Sequence, residues 1–158
     1  MKVVSDTSPV CYLLLLGHIE LLPILFGHIL IPEAVAIELG HPEADPLIRA
    51  WIESPPAWLG IAKPSPAKPE DLAQLDPGER EAIHLAEELQ ADFIILDDLK
   101  ARQAAKARGL KITGLLGILA RAAERELISL PEVVERLRRT SFRADLRLLE
   151  NLLERGRH

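Results

Sequence analysis

Lys2-Val3-Val4-Ser5-Asp6-Thr7-Ser8-Pro9 is the stretch that decides the fold. Two β-branched valines lead directly to a carboxylate, which predicts a short strand at residues 2–6. A Thr-Ser-Pro turn then leads into an apolar helix predicted at residues 10–16. Asp6 is therefore expected where a strand ends and a helix begins. In open parallel sheets this is the edge at which ligands bind.

The composition is that of one globular domain of 158 residues, of which 48% are hydrophobic. Polar residues and a proline interrupt the apolar stretch at 10–31, so we expect no membrane span and a soluble, cytoplasmic protein. Charge is distributed unevenly: residues 1–98 carry 17 acidic and 5 basic side chains, whereas residues 99–158 carry 7 and 14. An acidic front and a basic back would suit a cation and a polyanion, respectively, although charged helix surfaces alone could give this pattern.

Short apolar strands alternate with helices along the chain. Strands are predicted at 2–6, 28–31, 58–62, 93–96 and 111–113. Helices are predicted at 10–16, 19–26, 32–39, after Asp45-Pro46, after Asp76-Pro77, from Asp97-Asp98 to Gly109, and at 115–125, 131–139 and 144–155. Ser129 and Glu132 have the spacing of a capping box. This order predicts a three-layer α/β/α domain with a central parallel sheet.

Carboxylates follow two of the predicted strands, because Asp6 ends the first and Asp97 and Asp98 end the fourth. Glu38 and Glu79, on neighbouring helices, could approach the same edge. Like charges gathered in this way repel, and a divalent cation would neutralise them. Oxygen ligands suit Mg²⁺ or Mn²⁺. The sequence therefore predicts a metal site at this edge.

Helix capping is the alternative explanation for most of these acids. Asp6 could cap the first helix, Glu79 could form a capping box with Asp76, and one of Asp97 and Asp98 must cap the next helix. Glu38 lies near a helix C-terminus, where a negative charge is mildly unfavourable, so capping does not explain it. Glu81 is expected to face solvent.

Basic residues begin directly after the Asp pair, with Lys100, Arg102 and Lys106 on one predicted helix. They could hold the phosphates of a nucleic acid beside the acids, or they could simply form a solvated helix face. A second basic group extends over residues 136–147. Aromatic residues are 4% of the chain, which argues against tight sequence-neutral binding of single strands by stacking.

Four segments resemble the PIN-domain family of small metal-dependent ribonucleases, which includes VapC-like toxins. They are Val-Val-Ser-Asp6-Thr-Ser8-Pro, Ile-Pro-Glu-Ala-Val-Ala-Ile-Glu38-Leu, Pro-Gly-Glu79-Arg-Glu81-Ala-Ile-His-Leu-Ala and Ile-Leu-Asp97-Asp98. The match runs in order over residues 1–118. The Asp-x-Ser-Pro start and the Leu-Asp-Asp strand end look most like a branch whose biology is often unassigned.

The resemblance implies a PIN-like α/β/α fold and an Mg²⁺- or Mn²⁺-dependent endoribonuclease, with Asp6, Glu38, Glu79 and either Asp97 or Asp98 as metal ligands. Ser8 would orient the attacking water. RNA is the expected substrate. The chain is expected to form a homodimer and to bind an antitoxin or other protein partner. The chain is expected to be one domain, with a core at 1–126 and a helical extension at 127–158.

Two other functions fit the same residues. A PIN-like nucleic-acid-binding or protein-interaction module would carry a weakly occupied acidic cluster. A phosphatase or phosphotransfer domain would use Asp6 as the nucleophile, but such phosphatases carry a second carboxylate two residues on, where this chain has Ser8.

Overall fold

The structure is a computed structural model that describes residues 1–142. The predicted helix at 144–155, and the part of the second basic group beyond residue 142, lie outside the described residues. Five parallel strands form one sheet in the order β3-β2-β1-β4-β5. Their bounds are β1 Val3–Ser5, β2 Ile29–Pro32, β3 Leu59–Ala62, β4 Phe93–Ile95 and β5 Ile112–Thr113. The first strand of the chain therefore lies at the centre of the sheet.

Eight helices accompany these strands within the described residues. They are α1 Thr7–Leu16, α2 Leu21–Phe26, α3 Glu33–Leu39, α4 Pro46–Glu53, α5 Pro77–Leu89, α6 Leu99–Ala107, α7 Leu115–Glu124 and α8 Leu130–Arg138. No helix in this part of the chain is both long and apolar enough to cross a bilayer.

The sheet separates two apolar cores. Successive strand residues point to opposite faces, so Val3 packs in a core with α1, α2, α7 and α8, whereas Val4 packs in a core with α5 and α6. Burial on both faces explains why these strands are continuously apolar. The predicted three-layer α/β/α fold is confirmed. Helix α8 contributes Val133 and Leu137 to the larger core and packs on α1 and α7.

The predicted turn at Thr7-Ser8-Pro9 is wrong, because these residues form the first turn of α1. Proline is tolerated there, since the first amides of a helix have no partner within the helix. The predicted capping box at Ser129 does not form either: Ser129 occupies the N-cap position of α8, but its side chain accepts no capping hydrogen bond. Most other element bounds differ from the predicted ones by one or two residues.

Parallel pairing brings the carboxyl ends of β1 and β4 to the same edge. The ladder continues one residue beyond β1, where the Asp6 amide donates to the Ile95 carbonyl at 3.0 Å. On the other side of β4, the Leu96 amide donates to the Thr113 carbonyl at 2.9 Å. The backbone thus fixes Asp6 and the Asp97-Asp98 pair on adjacent strands.

A candidate active site at the carboxyl edge of the sheet

Asp6 is the buried centre of this edge, with 5% of its surface exposed. It occupies the N-cap position of α1, but its side chain makes no capping hydrogen bond. The capping alternative is therefore not realised in the structure. Burial raises the pKa of Asp6 to about 7, and the negative charges of Asp76, Glu79 and Glu38 act in the same direction. A nearby positive charge would therefore stabilise the ionised form of Asp6.

Glu38 reaches the same edge from α3. Its Oε2 accepts a hydrogen bond from the Thr7 hydroxyl, which fixes the carboxylate beside Asp6. Its other oxygen lies against Gly78 at the start of α5, where an added Cβ would stand 2.6 Å from Glu38 Oε1. Thr7 and Gly78 are supporting residues that the sequence analysis missed. A glycine inside a first helical turn, where it lowers helix propensity, is a signal that could have indicated the close approach.

Glu79 is part of a complete capping box, as the capping alternative proposed. The Glu79 amide donates to Asp76 Oδ1 at 2.8 Å, and the Asp76 amide donates to Glu79 Oε1 at 3.2 Å. The side chain nevertheless lies among the other acids, with 8% of the residue exposed. Burial raises the pKa of Glu79 to about 7, with contributions from the charges of Asp76 and Asp98. Glu79 therefore takes part in the cap of α5 and also lies among the other acids at this edge.

Asp97 and Asp98 have different surroundings. Asp97 Oδ1 accepts from the Leu115 amide at 2.9 Å, at the start of α7, and its carboxylate lies beside the Arg102 guanidinium and Gly114. Its Oδ2 is buried without a hydrogen-bond partner among residues 1–142. Burial raises the pKa of Asp97. Asp98 is exposed, and its Oδ2 accepts from the Ala101 amide at 3.1 Å.

Asp98 is therefore the helix cap of the pair, and it is also the one whose charge acts on Glu79. Asp97 holds the start of α7 to the end of β4. Together, the charges that act on Asp6 and Glu79 identify a cluster of five acids from four segments of the chain, which we call the acidic cluster. It comprises Asp6, Glu38, Asp76, Glu79 and Asp98.

Glu81 does not face solvent as predicted. It is half-buried, and its Oε1 accepts from the Ala34 amide at 3.1 Å in the first turn of α3. The N-cap residue of α3 is Pro32, which has no polar side chain, so Glu81 supplies the missing cap from another helix. Ser8 is half-buried in the first turn of α1, two residues after Asp6.

The basic residues of α6 divide into two kinds. Arg102 is half-buried and donates from Nη1 to the Leu96 carbonyl at 2.9 Å, so it supports the strand end that carries Asp97. Lys100 and Lys106 are exposed. Just beyond α6, Arg108 forms ion pairs with Asp71 and Glu87, which tie the α6 end to α5 and the preceding turn.

The donor chemistry of the cluster fits a hard divalent cation, because every side chain in it offers carboxylate oxygen. Within residues 1–142, no three His, Cys, Asp or Glu side chains converge as a ready-made ligand set. Mg²⁺ does not require such convergence, since it keeps several waters and takes one or two carboxylates. Two features are consistent with this mode of binding. Gly78 leaves room for the Glu38 carboxylate, and the buried Asp6 side chain makes no capping hydrogen bond.

Comparison with known proteins places this chain in a family. The DUF3368 family model, described as a PIN domain, matches residues 2–157. Among solved structures, a PilT N-terminus domain protein from the hyperthermophilic archaeon Sulfolobus solfataricus superposes with a TM-score of 0.53 at 23% identity, covering 77% of this chain and 93% of that one. That likeness concerns the fold alone. No curated protein matches the sequence. The chain belongs to the DUF3368 family of PIN domains.

Proposed function

We propose that this protein is a divalent-metal-dependent endoribonuclease. PIN domains are generally nucleases. The observation that carries the proposal is the acidic cluster: the charges of Glu38 on α3 and of Asp76 and Glu79 at the start of α5 act on the buried Asp6, at the sheet edge where parallel α/β proteins bind ligands. Holding so many like charges together is unfavourable unless a cation shares the site.

Asp6, Glu38, Glu79 and Asp98 are the residues proposed to hold Mg²⁺ or Mn²⁺, directly or through water. When bound there, the cation would stabilise the charge that develops on the phosphodiester and would lower the pKa of the attacking water. Thr7 fixes Glu38, and Asp76 fixes Glu79, so two of these carboxylates are oriented in advance.

The remaining site residues would act on the substrate. Ser8, two residues after Asp6 in the first turn of α1, would orient the attacking water. Lys100 and Lys106 are exposed on α6, which starts directly after Asp98, and would contact phosphates of the RNA. Arg102 would act through the Leu96 carbonyl as a support for the strand end.

The decisive experiment compares wild-type protein with Asp6→Asn in two assays, cleavage of a labelled single-stranded RNA with Mn²⁺ and calorimetric titration with Mn²⁺. We expect Asp6→Asn to abolish cleavage and weaken metal binding by at least about tenfold. Glu43→Gln is the control, because it removes an exposed acid outside the cluster. If neither assay distinguishes Asp6→Asn from wild type, the nuclease proposal is wrong.

A second candidate is a PIN-like nucleic-acid-binding or protein-interaction module with little catalysis. It is favoured by one observation, the lack of a converged three-residue ligand set in the described part of the chain. Calorimetry separates the two candidates, since a module of this kind would bind no divalent ion at millimolar concentration.

We further propose that the protein forms a homodimer and binds an antitoxin or other protein partner. Light scattering tests the homodimer, and co-purification from the native host tests the partner.

A further inference from the structure

A cleft with a volume of about 290 Å³ lies between the proline-rich segment after β3 and one face of α5. Residues 63–67 form one wall, and Pro77, Arg80, Glu81 and His84 form the other. Its volume is near the lower end of the ~300–1,000 Å³ typical of ligand pockets. The cleft can therefore take one small unit of a polymer and not a duplex.

The cleft and the acidic cluster both use the start of α5. Pro77 directly follows Asp76, whose charge acts on Asp6. Lys63 directly follows the carboxyl end of β3, so it stands at the sheet edge where β1 and β4 also end. A chain bound across the acids could enter the cleft without turning away from this edge.

Cationic side chains are more frequent in the lining of the cleft than in residues 1–98 as a whole. Residues 1–98 contain 5 basic side chains among 17 acidic ones, and two of the five, Lys63 and Arg80, line the cleft. The one acid in the lining, Glu81, already accepts the Ala34 amide. The cleft is thus a local exception in an acidic region.

Side-chain contacts hold the proline-rich segment in place on α5. The Ser65 amide donates to Glu88 Oε2 at 3.1 Å, and Arg80 Nη2 donates to the Pro69 carbonyl at 3.2 Å. His84 Nε2 lies 3.0 Å from Asp71 Oδ2 in the following turn. Prolines restrict the segment further. The cleft is therefore formed in advance of binding, which lowers the entropy cost of taking up a ligand.

We propose that this cleft binds a nucleotide of a single-stranded RNA next to the scissile phosphate, with Lys63 and Arg80 contacting its phosphate and the proline rings contacting its apolar faces. This inference rests on the proposed nuclease function. It assigns substrate binding to the β3 side of the edge, opposite the α6 lysines, so that the RNA would cross the acidic cluster between two basic contacts.

The test measures RNA binding without cleavage, in EDTA, by fluorescence anisotropy of a labelled single-stranded oligoribonucleotide at several salt concentrations. Lys63→Glu should weaken binding about five- to tenfold and reduce the salt slope by about one, because a phosphate contact is lost. Lys68→Glu is the matched control: it reverses the same charge on the same exposed segment outside the cleft lining, and should change affinity less than about twofold.

Equal effects of Lys63→Glu and Lys68→Glu would overturn the inference. A cleavage assay of the same proteins with Mn²⁺ separates this failure from failure of the proposed function. If wild type cleaves RNA and both variants cleave with an unchanged KM, the cleft is not a subsite, but the nuclease proposal stands. If wild type neither binds nor cleaves RNA, both proposals are wrong.

Discussion

At the scale of single residues, Gly78 shows how the site depends on an absent side chain. An alanine Cβ at this position would meet the Glu38 carboxylate at 2.6 Å, but that carboxylate is the far end of a flexible side chain and can move away. The gain in helix propensity on replacing glycine, up to about 1 kcal/mol, offsets the rearrangement. The substitution should therefore displace Glu38 while leaving the fold intact.

We expect Gly78→Ala to change the free energy of unfolding by less than about 1 kcal/mol while weakening Mn²⁺ binding about tenfold. Chemical denaturation and calorimetry measure the two effects. Gly40→Ala is the control, because its added Cβ would make only an ordinary contact at 3.5 Å with a backbone oxygen. Unchanged metal affinity in Gly78→Ala would show that Glu38 is not a ligand.

Asp97 and Asp98 are adjacent in sequence but should respond differently to substitution. Asp98→Asn keeps a good N-cap for α6 and removes a charge from the acidic cluster, so we expect it to weaken metal binding with little loss of stability. Asp97→Ala removes the acceptor of the Leu115 amide and should cost about 1–2 kcal/mol of stability. Denaturation and metal titration of both variants check this. The reverse pattern would make Asp97 the ligand.

At the scale of elements, the connection between β3 and α5 is held by side chains and not by a ladder. Asp71 is the shared partner of His84 on α5 and of Arg108 at the end of α6. The Arg108 and His84 hydrogen bonds lower the pKa of Asp71, so its charge is part of this contact. One side chain thus links the connection to two helices.

We expect Asp71→Ala to loosen residues 63–76 without unfolding the sheet. Hydrogen exchange in this segment should become several-fold faster, while exchange in β1 and β4 should not change. Asp92→Ala is a comparison variant, since Asp92 bonds to the Lys2 amide at 2.7 Å, at the opposite edge of the sheet. Unchanged exchange in the segment would show that its prolines alone hold it.

At the scale of the whole molecule, the acidic cluster makes the metal-free protein sensitive to pH. Asp6 and Glu79 have pKa values raised to about 7 in the folded state, whereas unfolded carboxyls titrate near about 4. The folded state therefore keeps protons that the unfolded chain has released. Stability contributed by these groups falls as pH rises through this window and stays low above it.

We expect Asp6→Asn to be more stable than wild type in EDTA at about pH 8.5, by on the order of 2 kcal/mol, and the difference to shrink as pH falls and to approach zero at about pH 4, the unfolded carboxyl pKa. Mg²⁺ should stabilise wild type more than the variant at the higher pH. Thermal unfolding of both proteins at the two pH values checks these outcomes. A difference independent of pH would mean that Asp6 is not protonated in the folded state.

Much of the fold followed from local patterns. Apolar strands between helices predicted the three-layer architecture, and the starts at Asp45 and Asp76 were found because N-caps and proline act over a few residues. The predicted start of α1 is too late. The Ser-Pro pair suggests a turn, whereas in the structure it lies with Thr7 in the first turn of the helix. The prediction that Glu81 faces solvent is wrong because its hydrogen-bond partner, the Ala34 amide, is 47 residues away in sequence.

Local patterns in the chain are enough to predict which strands end in carboxylates and that parallel pairing gathers them at one edge, because strand and helix periods are local properties. Long-range packing sets the different roles of the two adjacent aspartates: Asp97 accepts a hydrogen bond from the Leu115 amide, whereas the charge of Asp98 acts on Glu79. The same packing brings Asp76 into the acidic cluster, sets Thr7 against Glu38 and forms the cleft at Lys63. These features depend on which helix packs beside each strand end, and spacing along the chain does not encode that.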